Sequence, residues 1–108
     1  MSRLAQFDVY VNPSPRSRET VPYLVVVQSD LLDALETRLV APLVRSSVAA
    51  ARLPRRLCPS FVVKREELVL LPQESAPVLA RLLREPVASL RSEAHRLVDA
   101  IDAVLGGV

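Results

Sequence analysis

Phe61-Val62-Val63-Lys64-Arg65-Glu66-Glu67-Leu68-Val69-Leu70-Leu71 is the stretch on which the fold turns. Two short apolar runs, rich in Val and Leu, flank a polar loop, and that pattern reads as a β-hairpin. The spacing predicts a four-residue loop, Lys64 to Glu67, of the length usually built on a type I turn. Three apolar runs precede the hairpin. Gln6 to Val11 alternates, with Phe7, Val9 and Val11 on one face, which is the period of a half-buried strand. Tyr23 to Val27 is apolar on both faces and β-branched, so a buried central strand is expected. Thr37 to Val44 is the third run; Pro42 inside it has no N–H for a ladder, which predicts a bulge or an edge there. Consecutive strands without crossover helices mean an antiparallel sheet.

The connections are read from their turn residues. Asn12-Pro13-Ser14-Pro15-Arg16-Ser17-Arg18 is polar and proline-rich, and predicts a mobile surface loop. Gln28-Ser29-Asp30 breaks the second strand, and Leu31 and Leu32 then fall on a loop, where Asp30 suits a turn or cap. Ser46 to Leu53 is Ala-rich and predicts a short helix that Pro54 ends. Pro72 and Pro77 bracket a further loop before Val78 and Leu79. Beyond it, Leu90, Ala94, Leu97, Val98, Ile101, Val104 and Leu105 recur at spacings of three and four. That predicts a helix over 90–105 with Ser89 as N-cap and Gly106 as C-cap. Arg91, Arg96, Asp99 and Asp102 fall mostly on the other face. The fold class is therefore α+β: a small antiparallel β-barrel with a C-terminal helix, in one domain spanning 1–108.

Composition excludes several function classes. The chain has 108 residues with 50% hydrophobic and 24% charged, a globular balance for a single small core. Its 2 glycines, Gly106 and Gly107, both lie near the C-terminus, so no glycine-rich phosphate loop exists. With 1 cysteine and 1 histidine there is no intrachain disulfide and no cysteine- or histidine-rich metal site. No cofactor is expected. No apolar run is long enough for a bilayer span, and the expected location is the cytoplasm. Of 14 basic residues only Lys64 is a lysine. Arg45, Arg52, Arg55 and Arg56 cluster, which suits an acidic partner. A net charge of +2 is too small to argue for DNA binding alone.

No catalytic constellation emerges. His95 lies inside the terminal helix off its apolar stripe, the place of a solvated side chain, and no G-x-S-x-G elbow accompanies it. Glu66 and Glu67 are adjacent and point apart, so they do not share a proton. Asp30 and Asp33 have no partner carboxylate converging on a cleft, as glycosidase chemistry requires. Cys58, between Leu57 and Pro59, reads as an inert buried thiol.

Six segments in order resemble the CcdB family of toxins from toxin–antitoxin modules. They are Gln6-Phe7-Asp8-Val9-Tyr10, Val27-Gln28-Ser29-Asp30-Leu31-Leu32-Asp33 and Arg38-Leu39-Val40-Ala41-Pro42-Leu43. Arg56-Leu57-Cys58-Pro59, Glu85-Pro86-Val87-Ala88-Ser89-Leu90 and the terminal Ile101 to Val108 follow. The resemblance implies an SH3-like barrel, a homodimer and no catalysis. It implies binding to the DNA gyrase A subunit, trapping the enzyme on cleaved DNA. It also implies neutralisation by an acidic, CcdA-like antitoxin, and repression of the operon by the toxin–antitoxin complex, with operator DNA touched only through that complex.

The same resemblance assigns residues. Leu105, Gly106, Gly107 and Val108 correspond to the gyrase-binding end, and Leu31, Leu32, Asp102 and Leu105 to the antitoxin contact. Gly107 and Val108 match the family's terminal Gly and aliphatic residue. Gly106 stands where the best-known members carry Trp, and Leu105 where they carry Phe. A Trp anchor is worth about 2–4 kcal/mol when truncated, so weakened or lost poisoning is expected. Two alternatives remain open: an endoribonuclease toxin of the MazF type, which shares the barrel, and a degenerate member that no longer poisons gyrase. The MazF-type opening, Gly-Asp-aromatic with a glycine-rich first loop, is missing here.

Overall fold

In a computed structural model, residues 4–47, 54–55 and 57–106 are described. Seven strands form one antiparallel sheet: β1 (Asp8–Val11), β2 (Tyr23–Val26), β3 (Thr37–Arg45), β4 (Ser60–Val63), β5 (Glu66–Leu70), β6 (Ala76–Leu79) and β7 (Ala88–Ser89). Their order is β4-β5-β3-β2-β1-β7, with β6 also paired to β3. The sheet curls into a nearly closed barrel, and one helix, α1 (Ala94–Gly106), follows it. The α+β barrel expected from the sequence is the observed fold. The short helix predicted over Ser46 to Leu53 lies mostly outside the described residues.

The central strands β1, β2 and β3 are buried on both faces. Phe7, Val9, Val25, Ala41 and Leu43 point to one side, where Phe61, Val63, Leu68, Leu70, Leu90, Leu97 and Ala100 complete the main core. Tyr10, Leu24, Val26 and Val40 point to the other, where Leu83 covers them. This double burial is why Tyr23 to Val26 lacks polar alternation. The piece Val78–Leu79 is part of β6, which pairs Thr37–Val40 of β3 with Ala76–Leu79. Val78 then packs against the second core.

Three sequence expectations are corrected. Pro42 is neither at a bulge nor on an edge strand: it sits opposite Leu24 within the central strand β3. Along the other side of β3, β6 pairs with 37–40 and β5 with 43–45. Pro42 lies at the seam between these two pairings, where a residue without an N–H is tolerated. Its carbonyl still accepts from the Leu71 N–H at 3.1 Å.

The hairpin loop is two residues long, not four. Glu66 and Glu67 belong to β5 and pair with Val63 and Val62. Lys64 and Arg65 make the turn with φ of 53° and 67°, the doubly left-handed geometry of a type I′ turn. That turn matches the twist of the strands, and pairing the glutamates adds ladder bonds that outweigh the backbone cost.

The 12–18 segment is a largely exposed loop, as its polar, proline-rich sequence predicts, and it is anchored on one buried side chain. Asn12 is 5% exposed. Its Nδ2 donates to Ser17 Oγ and to the Val21 carbonyl, both at 2.9 Å, and its Oδ1 accepts from the Ser14 N–H at 3.0 Å.

The last correction is at the start of the terminal helix. Ser89 pairs with Asp8 in the sheet, and the Leu90 N–H donates to the Phe7 carbonyl at 2.8 Å. These bonds hold 88–90 extended, so a 3-10 turn (Arg91–Glu93) comes first and the α-helix starts at Ala94. Ser89 Oγ accepts from the Arg91 N–H at 3.3 Å, a cap on the turn rather than on the helix. Gly106 is the last residue of the helix, not a cap beyond it.

Candidate functional site

Two exposed aliphatic features carry the residues that the sequence singles out. The first is the end of α1. Leu97, Ala100 and Ala103 face the barrel and are buried. Other apolar residues of the helix are left outward: Val98 is 43% exposed and Leu105 is 81% exposed. A cavity of about 800 Å³ opens beside this end. Asp99, Asp102, Leu105 and Gly106 line it from the helix, Arg96 from the first turns, and Arg55 and Pro59 from the approach to β4.

Arg96 fixes the wall of the cavity. Its Nη1 donates to Glu93 Oε2 at 3.0 Å and its Nη2 to the Ser60 carbonyl at 2.8 Å. The guanidinium lies 4.4 Å from the centroid of the buried Phe61 ring. The helix is thereby tied to β4 from its polar face. Sequence reading assigns Arg96 only to that face; no periodicity reveals that a Phe thirty-odd positions earlier lies beneath it.

The second feature is a 3-10 turn at Asp30–Leu32. It presents Leu31 at 92% and Leu32 at 48% exposure, with Leu35 at 51% just beyond. The residues around it explain the Val27-Gln28-Ser29-Asp30 segment. Ser29 Oγ accepts from the Leu31 N–H at 3.1 Å. Asp30 Oδ1 accepts from the Gln6 N–H at 2.8 Å, which ties the turn to the start of the chain. Gln28 Nε2 donates to the Leu32 and Thr37 carbonyls at 3.1 and 3.3 Å. The buried Arg38 donates to the carbonyls of Asp33, Leu35 and Thr37. Polar side chains thus build a rigid frame that pushes leucines into solvent. None of the residues in this turn is buried, so its leucines do not belong to the barrel core.

The structure brings Asp102, Leu105 and Gly106 to one cavity and leaves Leu31 and Leu32 outside its lining. Gly107 and Val108 lie outside the described residues, as do Arg52 and Arg56. Arg45 is not free for a partner: it pairs with Glu66, and its Nε donates to the Glu19 carbonyl at 2.8 Å. His95 is exposed on the helix. Cys58 is 6% exposed, and burial pushes its thiol up from the ordinary 9.0, which agrees with an inert thiol. Among the described residues no group of His, Cys, Asp or Glu could hold a metal ion. No helix among them is long and apolar enough to cross a membrane.

An exposed, uncharged helix end beside a cavity lined by two arginines and two aspartates, and a framed turn that displays two leucines, are surfaces suited to protein contact. No curated protein matches the chain. The family model described as CcdB protein matches residues 6–107. The chain belongs to the CcdB family, toxins of toxin–antitoxin systems that act on DNA gyrase.

Proposed function

We propose that this protein inhibits DNA gyrase by contacting its A subunit through the end of α1, with Leu105, Gly106, Gly107 and Val108 as the contact. It acts in the cytoplasm, as a homodimer formed from one domain per chain, and without catalysis. A CcdA-like antitoxin neutralises it through Leu31, Leu32, Asp102 and Leu105, and operator DNA is touched only through the toxin–antitoxin complex. The observation that carries this reading is Leu105, 81% exposed on the last turn of a helix whose buried face is already satisfied by the barrel.

Gly106 modulates the activity. It offers no side chain where an aromatic anchor would fill a pocket on gyrase, so inhibition is weak. The test is a supercoiling and DNA-cleavage assay with purified gyrase, comparing the native chain with Gly106→Trp. Gly106→Trp is expected to lower the half-inhibitory concentration by about tenfold or more. Inhibition by neither protein, together with cleavage of single-stranded RNA, would sink the gyrase reading in favour of an endoribonuclease.

A further inference from the structure

A second cavity, of about 480 Å³, shares no lining residue with the one beside α1. Val11, Asn12, Pro13 and Arg18 form one wall, and Arg81, Leu82, Arg84 and Glu85 the other. The first wall is held firmly. Arg18 Nε donates to the Asn12 carbonyl at 2.8 Å, and the Asn12 amide is itself buried and satisfied. That bond uses Nε and leaves the paired Nη groups for another partner. Arg81 and Arg84 make no hydrogen bond or ion pair with any described residue, and Glu85 is the only acid among the described lining residues. Three guanidinium groups around one concavity repel each other and favour an anionic occupant.

Two further observations narrow the occupant. β7 pairs only with Asp8 and Val9 of β1. Pairing ends there because Pro86 has no N–H to continue the ladder beyond Val87, whose N–H donates to the Val9 carbonyl at 2.8 Å. Among the described residues the Val11 end of β1 therefore has no strand beside it on that side, and it opens onto the cavity. Aliphatic side chains stand next to the arginines: Val11 is 41% and Leu82 is 45% exposed. Among the described residues no aromatic ring lines the cavity to stack a base. We propose that this cleft binds an acidic, aliphatic-bearing peptide segment in extended form, pairing with β1 beyond β7 while Arg18, Arg81 and Arg84 take its carboxylates. The inference does not depend on gyrase, since neither the helix end nor its cavity takes part.

The probe is a short labelled peptide alternating Glu and Val, titrated into the full chain by fluorescence anisotropy. Binding is expected to weaken by about tenfold or more for the Arg81→Glu/Arg84→Glu double variant, whose fold is verified by circular dichroism. A Gln-for-Glu peptide is expected to bind comparably weakly, and a peptide N-methylated on alternate amides should lose binding because it cannot add to the strand. The Val11 amide should also gain hydrogen-exchange protection with the native probe. Equal binding of the probe to the double variant, or equal binding of the N-methylated peptide, overturns the proposal. So does displacement by tripolyphosphate at the probe's own affinity, which would make the cleft a plain anion site. Gyrase inhibition unchanged in the double variant leaves the proposal standing, and its loss there overturns the independence claimed above.

Discussion

Lys64 and Arg65 show how a single pair of residues can hide a turn. Both hold positive φ, 53° and 67°, a region that costs a residue with a Cβ about 1–2 kcal/mol. Asn-Gly is the usual signal for such a turn, and without it the sequence predicts a longer loop. The cost is recoverable. Lys64→Asn/Arg65→Gly is expected to stabilise the protein by about 1 kcal/mol, part of the relief being lost to the flexibility of glycine in the unfolded chain. A thermal melt would then rise by about 4–8 °C. An unchanged melt would show that the loop is longer and relaxed. Tyr10 is the opposite kind of residue, legible as core yet carrying a hidden liability. It is fully buried, and its hydroxyl finds no hydrogen-bond partner among the described residues. Burial, with Asp8 and Glu85 nearby, pushes its ionisation above the ordinary 10.0, and Arg38 opposes this. The native state thus keeps the proton that the unfolded chain gives up. Stability present below pH 10 is lost as pH rises through the raised native value. Tyr10→Phe removes the orphaned hydroxyl and is expected to stabilise by about 1 kcal/mol near neutral pH. It should also flatten the fall in denaturation midpoint above pH 10; a fall as steep as in the native chain would assign that loss to another group.

The terminal helix is where periodicity works and where it misleads. The apolar repeat locates the helix, but it is broader than the buried face. Leu97 is fully buried while its neighbour Val98 is 43% exposed. Leu97→Ala is therefore expected to cost about 2–5 kcal/mol and Val98→Ala less than about 0.5 kcal/mol in the isolated protein. Urea midpoints measure both, and comparable losses would mean that the helix is rotated on the barrel. The boundary at Ala94 was not legible for a related reason. Ser89 is a good cap by type, yet the pairing of Ser89 with Asp8 and the Leu90 bond to Phe7 are long-range contacts that no local window contains. β7 and β6 share this origin. Ala88–Ser89 and Ala76–Leu79 are strands because β1 and β3 offer unpaired edges, not because their own residues favour extension. In contrast β2 declares itself, since burial on both faces leaves its mark as an unbroken apolar run. The candidate site divides in the same way. Leu31 and Leu32 are visible as aliphatics in a polar break, and the frame that displays them is written in Gln28, Ser29 and Asp30. The share taken by Arg38 comes from a strand several residues away, and that of Arg96 depends on Phe61 beneath it.

At the scale of the molecule, the barrel buries a continuous interior and leaves several large aliphatic side chains on its exterior. Leu31, Leu32, Leu35, Leu39, Val62, Val98 and Leu105 are each at least 40% exposed in a chain of 108 residues. Single exposed aliphatics are ordinary on a monomer, but the Leu31–Leu35 turn and the outer side of α1 each present several together. Family membership implies dimerisation, and a second copy of the chain would take some of this surface out of water. Association that involves only the folded state raises apparent stability by mass action. The melting temperature is therefore expected to rise with protein concentration, and sedimentation equilibrium should report twice the chain mass at micromolar concentration. Added salt should matter little to this association, because aliphatic burial is not screened, whereas it should weaken an acidic peptide in the arginine cleft. The two measurements thus separate the apolar surface from the charged one. A melting temperature independent of concentration, with a single-chain mass throughout, would leave the leucine turn and the outer helix face to heterologous partners alone.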